Sequence, residues 1–511
     1  MAAEPSPAPL HDSIAAAEFA SARARLREMR LQDRRRPLPL TYQPPGGRHG
    51  GEPVDDPSAE PTPETAGAGG PIGRSLHDLA DGSLSVKHLV DESLEAIARR
   101  DPELNAIAYL LADEAMAEAE RLDGELRDGR PRRPLHGIPI TVKDVIDVGG
   151  AETRCGSAAY ADVPSADAAA VARLRAAGAI VIAKTTTHEF ALGVTNPQSR
   201  NPHDPSRIPG GSSGGSTIAV ATGMGLGSLG TDTRASIRVP AALSGTVGFK
   251  PTFGRVPTAG VVSLSWTMDH VAPMATTVAD AARLMDVLLG SGSLLARRAD
   301  AGRTTTRTGT PWRVGVPAAG FTGDDPAVDA VVRRAIDTLA GLGADVVDVD
   351  RPSATDFDDA NALGLLISRA EAATFHRGIG TDLSMCWAEI NDQLSAAQSI
   401  PAIDYLAAQR RRGELADRFL SLFDATSDDA GIDVLALPTA SVTAPPVDDF
   451  AAYLMLLSRN AIPWSLVGFP AISIPCGVDG HGLPVGLQLV ARPDAEATLV
   501  EVGAAYEAAR A

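Results

Sequence analysis

At 511 residues, 44% of them hydrophobic, the chain is long enough to bury a large core. A formal net charge of −18 removes the basic face that nucleic-acid binding usually needs, and three cysteines offer no disulfide framework and suit a reducing, cytoplasmic setting. No apolar run reaches membrane length, and Arg34-Arg35-Arg36 is followed by no apolar core of a signal peptide.

In chain order, Ser13–Arg30 reads as a short helix, and the Pro/Gly/Glu-rich stretch from Arg36 to Gly73 as a poorly ordered linker. Leu89, Val90, Leu94 and Ile97 line one face of a helix that Ser85 can cap. Ile138-Pro139-Ile140-Thr141-Val142 is a buried-strand run that ends at Lys143-Asp144. Ala168–Ala177, Gly178 and AIVIA then read as helix, C-cap and buried strand, and the unit recurs at Val328–Leu342, Gly343 and ADVVDV. Between them, Ile218–Gly230 reads as a buried helix followed by a turn. Ser291–Thr310 has the composition of an exposed insertion, and LALPTASVTAPP at Leu435–Pro446 leads into the last elements. Helix-then-strand alternation predicts a mixed α/β sheet covered by helices.

The chemistry concentrates between Gly210 and Pro240, where GGSSGGSTIAVATGMGLGSLGTDTRASIRVP contains two glycine-bounded polar turns. One carries Ser212 and Ser213, the other Ser236. A serine nucleophile needs a base nearby, and a desolvated lysine can serve. Lys143 fits only if burial lowers its pKa from about 10.4; the alternative is a surface lysine at a strand end. Other site types fit poorly. The glycine-rich turn has no lysine of a phosphate cradle, and the ten histidines form no metal motif. Cys155, Cys386 and Cys476 lack zinc spacing. No metal or other cofactor is expected. His136, His188 and His270 read as structural, and Cys155 as a small buried residue.

These segments resemble the amidase signature hydrolases. The resemblance is carried by HGIPITVKD at 136–144, AKTTTHEF at 183–190, RNPHDPSRIPGGSSGGS at 200–216 and GTDTRASIRVPA at 230–241. GFKPTFGRV at 248–256, MDHVAPMATTVADAA at 268–282 and GFPAISIPCG at 468–477 continue it. It implies a catalytic domain over 72–511 and leaves outside it the N-terminal helix and flexible extension, residues 1–71. That domain would be one large α/β unit, a mixed twisted sheet with helices on both faces. Residues 1–70 are expected to be dispensable.

The resemblance also implies a Ser–Ser–Lys triad: Ser236 as the acylated nucleophile, Ser212 as the bridge and Lys143 as the base, with a cis peptide bond at Gly211–Ser212. The oxyanion hole would be the backbone N–H groups of Thr233, Arg234, Ala235 and Ser236. Arg234 and Ala235 replace the glycines usual there, at a cost of order 1 kcal/mol if either position needs a positive φ. Ser213, Thr231, Asp232 and Arg238 match positions that hydrogen-bond around the triad. Arg234 has two readings: a brace against a neighbouring acid, or a fork for a substrate carboxylate.

Two activities follow from the resemblance. One is a stand-alone amidohydrolase cleaving the C–N bond of a small carboxylic or urea-derived amide, with a small-molecule substrate, no nucleic-acid or membrane partner, and a homodimer left open. The other is the glutamine-hydrolysing component of a tRNA-dependent amidotransferase, its A subunit. SRAEAATFHR at Ser368–Arg377 resembles free-standing amidases and favours the first. A non-catalytic protein on this fold conflicts with retention of Lys143, Ser212 and Ser236. Substrate pockets would be built from about Asp348–Ile462, and at 4% aromatic residues a fatty amide is the weakest choice of substrate.

Overall fold

A computed structural model describes residues 14–29, 69–290, 294, 312–424 and 431–510. Eleven strands form one mixed sheet: β1 (Ile107–Leu110), β2 (Pro139–Lys143), β3 (Ile180–Thr185), β4 (Gly227–Asp232), β5 (Val247–Lys250), β6 (His270–Ala275), β7 (Arg313–Pro317), β8 (Asp345–Val349), β9 (Val434–Pro438), β10 (Ala471–Val478) and β11 (Pro484–Ala491). Their spatial order is β1-β3-β2-β4-β6-β5-β10-β11-β9-β7-β8. β2 runs parallel to β3 and β4, and β7 parallel to β8 and β9. The remaining neighbours are antiparallel.

The central strands β2, β4, β6 and β5 are buried along their whole length, as expected of a sheet covered on both faces. β4 shows why its sequence is so small. A Cβ on Gly227 would lie 2.6 Å from a methyl of Leu284, in the helix Val278–Leu289. A Cβ on Gly230 would lie 2.7 Å from Ile237 and 3.0 Å from the Ser213 hydroxyl. These two glycines have opposite parity along the strand, so they face opposite sides. One face carries the apolar helix and the other carries the polar turns.

Local signals place several helices as expected. Ser85 Oγ accepts the His88 N–H at 3.2 Å and caps the helix Val86–Leu104, which buries Leu89, Val90 and Ile97. The helix Ala169–Ala176 gives way to β3 through Gly178 (φ 93°), and Pro326–Gly341 to β8 through Gly343 (φ 96°).

Other expectations need correction. Of the helix and turn expected within 218–230, the helix is Gly214–Ala221, and 227–232 is strand β4 rather than a turn. The linker expected to reach Gly73 stops earlier. The helix Pro71–Asp81 starts inside it, with the Ile72 and Gly73 N–H groups donating to Asp280 at 3.0 and 3.1 Å. Residues 36–68 of that linker, and 291–310 apart from Leu294, lie outside the described residues.

The N-terminal helix is Ile14–Glu28. Ala15, Phe19, Ala22 and Leu26 recur at helical spacing and are buried in a cluster with Phe357, Leu363, Ala408 and Phe419. Arg23 and Arg25 pair with Asp404 and Asp359, each at 2.6 Å. Removing residues 1–70 would strip this cover from the helices Ala354–Ile379 and Ala402–Leu420. Dispensability of that segment does not fit such packing.

Candidate active site

Lys143 is the last residue of β2, wholly buried, and the parallel pairing of β2 with β4 sets it beside Thr231. Its Nζ lies 2.7 Å from Ser212 Oγ and 2.8 Å from Thr231 Oγ1. The next residue, Asp144, points elsewhere: its carboxylate pairs with the buried Lys184 at 2.8 Å. The carboxylate adjoining Lys143 in sequence is therefore committed to the other lysine. Burial drives the Lys143 pKa down to about 7, against the weaker opposing pull of Asp232 and Asp269.

Ser212 follows a cis peptide bond from Gly211. Only glycine fits at 211, because a Cβ there would lie 1.9 Å from the Thr195 carbonyl oxygen. Gly210 has φ +79° and packs on Pro240, where a Cβ would lie 2.9 Å from the proline Cα. The second turn is tied to the first by the Ser213 N–H, which donates to the Ser236 carbonyl at 3.3 Å, and by Ser213 Oγ, which donates to the Thr231 carbonyl at 3.1 Å. The Ser236 residue retains 7% exposure, whereas Ser212 and Lys143 have none.

Asp232 and Arg238 hold this loop. Arg238 donates two bonds to the Asp232 carboxylate, at 3.0 and 3.1 Å, and reaches the Gln488 side chain at 2.7 Å, Ser465 Oγ at 2.6 Å and the Ala461 carbonyl at 2.9 Å. Burial alone would raise the Asp232 pKa. The Arg238 guanidinium outweighs it, helped by Lys250 and the Ser465 hydroxyl, and holds the carboxyl well below its usual range. A residue in β11 and two near 461–465 thus clamp a loop in the 230s.

Neither Arg234 nor Ala235 has a positive φ, so replacing the usual glycines brings no left-handed strain. Arg234 does brace the loop, but against a neutral group: its Nη2 donates to Asn361 Oδ1 at 2.6 Å. The expected neighbouring acid is not its partner.

The sequence reading missed Asp269, which lies in the quoted MDHVAP segment. It accepts bonds from Thr233 Oγ1 at 2.6 Å, Ser263 Oγ at 2.8 Å and the Leu264 and Ser265 N–H groups, anchoring the start of the 233–236 loop. Burial raises its pKa to about 6. His188 and His270 are buried, and burial lowers both pKa values, to about 4 for His188. His270 Nδ1 lies 3.0 Å from the Asp232 carbonyl. His136 is also buried, with Nε2 3.3 Å from the Leu122 carbonyl. Burial pushes the Cys155 thiol up, away from reactivity.

The model of the Amidase family matches residues 88–500. The chain is 37% identical over 466 residues to the A subunit of glutamyl-tRNA(Gln) amidotransferase from Chloroflexus aurantiacus, covering 84% of this chain and 94% of that one. It is 36% identical over 445 residues to an amidase of Pseudomonas putida, covering 83% and 93%. A crystal structure of an amidase superposes with a TM-score of 0.75 at 34% identity, over 86% of this chain and 99% of that one. The chain belongs to the amidase signature family of hydrolases.

Proposed function

We propose that the chain is a stand-alone amidohydrolase that cleaves the C–N bond of a small carboxylic or urea-derived amide through an acyl-enzyme on Ser236. The observation that carries this reading is a fully buried lysine, depressed to about 7 and in contact with Ser212, whose turn is tied to the one bearing Ser236.

In this mechanism neutral Lys143 takes the Ser212 proton while Ser212 takes that of Ser236, whose oxygen bonds to the amide carbon. Charge moves to the carbonyl oxygen, where the N–H groups of residues 233–236 stabilise it. The C–N bond then breaks, the proton returns through Ser212 to the departing nitrogen, and ammonia or an amine leaves. Water adds to the ester by the same relay in reverse order, releasing the acid and restoring Ser236. Thr231, bonded to Lys143 on its other side, fixes the direction of the amine.

Ser236→Ala is expected to abolish amide hydrolysis, and Ser212→Ala and Lys143→Ala each to lose several orders of magnitude without additivity. Turnover of Ser236→Ala near that of the parent, in protein free of contaminating amidase, would refute the nucleophile. A second reading, that of a glutamine-hydrolysing amidotransferase component, is favoured by the 37% identity to one such protein.

A further inference from the structure

The N–H groups of Arg234, Ala235 and Ser236 have no acceptor among the described residues. Their direction is therefore set by whatever holds the loop at its two ends. At the end that follows Ser236, the Ile237 N–H donates to Asp232 at 3.3 Å, and Arg238 clamps that carboxylate. At the end that precedes Arg234, the hold is a side chain: Thr233 Oγ1 donates to the buried Asp269 at 2.6 Å.

Asp269 is itself held through a second carboxylate. Its oxygens take the Ser263 hydroxyl at 2.8 Å and the Leu264 and Ser265 N–H groups at 3.1 and 3.0 Å. Ser265 faces both ways: its N–H goes to Asp269, while its Oγ donates to Glu371 at 2.7 Å. Glu371, 1% exposed, lies on the helix Ala354–Ile379, within the Ser368–Arg377 segment. It also takes the Thr267 N–H and hydroxyl at 3.1 and 2.8 Å, and the Tyr405 hydroxyl at 2.8 Å. Arg412 donates to the Thr267 hydroxyl and carbonyl at 3.0 and 2.7 Å. Hydrogen bonds thus run without a gap from the helices Ala354–Ile379 and Ala402–Leu420, through residues 263–269, to Thr233. Burying two carboxylates is costly unless their lone pairs are filled. Most of the donors that fill these belong to the segment behind the loop of residues 233–236.

We propose that Glu371 and Asp269 are positioning residues for the oxyanion hole, acting in series: Glu371 fixes residues 265–267, these and Asp269 fix Thr233, and Thr233 aims the N–H groups that follow it. The inference rests on the amidohydrolase reading above and adds to it the groups that set the geometry of its transition state. Neither carboxylate touches the substrate. Their effect is on placement, where an error of the order of 1 Å costs about 100-fold in rate.

The test reads kcat and KM on the amide that the unmodified chain hydrolyses best, well below its melting temperature. Hydrogen exchange of a peptide spanning residues 230–240 is measured alongside, which needs no turnover. Thr233→Val removes the hydroxyl that reaches Asp269. It is expected to lower kcat at least about 30-fold with KM within about threefold, because the oxyanion forms only in the transition state. Thr233→Ser keeps the hydroxyl and should recover most of the loss. Glu371→Ala is expected to lower kcat at least about 10-fold, and Glu371→Gln less. Combining Thr233→Val with Glu371→Ala should cost no more than about twofold beyond the larger single loss, since both act through one path. Exchange over 230–240 is expected to rise in Thr233→Val and in Glu371→Ala. Unchanged kcat and exchange in a folded Thr233→Val chain overturns the proposal, and so does a lower melting temperature with kcat intact. Losses that multiply in the double variant overturn the series and remove Glu371 from it. Hydrolysis of no amide by the unmodified chain counts against the amidohydrolase reading alone, because exchange still decides the positioning. If Glu371→Ala does not fold, Glu371→Gln and Thr233→Val carry the decision.

Discussion

An amine buried without a counter-ion loses its proton near neutrality, and at Lys143 this depends on where two nearby carboxylates are committed. Asp144 is held by Lys184 and Asp232 by Arg238. With its pKa at about 7, Lys143 is half neutral at pH 7 rather than only above pH 10. Amide hydrolysis is therefore expected to rise with pH through about 7 and level off above about 8. A kcat/KM profile flat from pH 6 to 9, with chemistry rate-limiting, would remove Lys143 as the base. The same shift sets a stability cost. The folded pKa lies below the unfolded one, so between about 7 and 10.5 the unfolded chain binds the extra proton and stability rises with pH. Lys143→Met removes that penalty, on the order of 3–5 kcal/mol at neutral pH. The inactive variant is expected to melt above the parent at pH 7, with the gap closing toward pH 10; a gap that does not change with pH would contradict this account. Lys184→Met should do the opposite and destabilise by about 3–5 kcal/mol, because it leaves Asp144 buried and unpaired. Adding Asp144→Leu should recover most of that loss in a thermal-melt double-mutant cycle.

At the scale of elements, the N-terminal helix offers the clearest test. It buries Phe19 against the helices of residues 354–420 and adds two ion pairs. Phe19→Ala is expected to cost about 3 kcal/mol, and deletion of residues 1–30 to lower the melting temperature and raise binding of a hydrophobic dye. A deletion that melts with the full chain would show the helix to be a loose appendage. The elements that were legible in the sequence carried their own punctuation: Ser85 before a helix, Gly178 and Gly343 after one. β4 carried none. Its Gly-Ser-Leu-Gly-Thr-Asp has poor strand propensity, and it is a strand because Leu284 on one face and Ile237 and Ser213 on the other leave room only for small residues. The N-terminal helix could be read as a helix, but what it covers could not, because Asp359 and Asp404 lie more than 300 residues away. At the site, the serines and Lys143 stood in recognisable motifs. Asn361 stood in none, and only the fold brings its helix to Arg234.

Across the whole molecule, one sheet joins the parts that build the site. β2 and β4 supply Lys143 and Thr231, and the turns beside them supply Ser212 and Ser236. Arg238 then locks the loop onto Gln488 in β11, across the sheet from β4. All of these groups come from one chain, and none of the hydrogen bonds that orient Lys143, Ser213 or Asp232 requires a second protein. A stand-alone amidohydrolase, the function proposed above, needs no partner for turnover. The purified chain alone is accordingly expected to release ammonia from small amides, measured by coupled ammonia detection over a panel that includes glutamine, neutral amides and carboxylated amides. On the stand-alone reading, glutamine should have no advantage over the other amides of the panel. Ammonia release confined to glutamine, and appearing only when the other amidotransferase components and tRNA are added, would establish the amidotransferase reading instead.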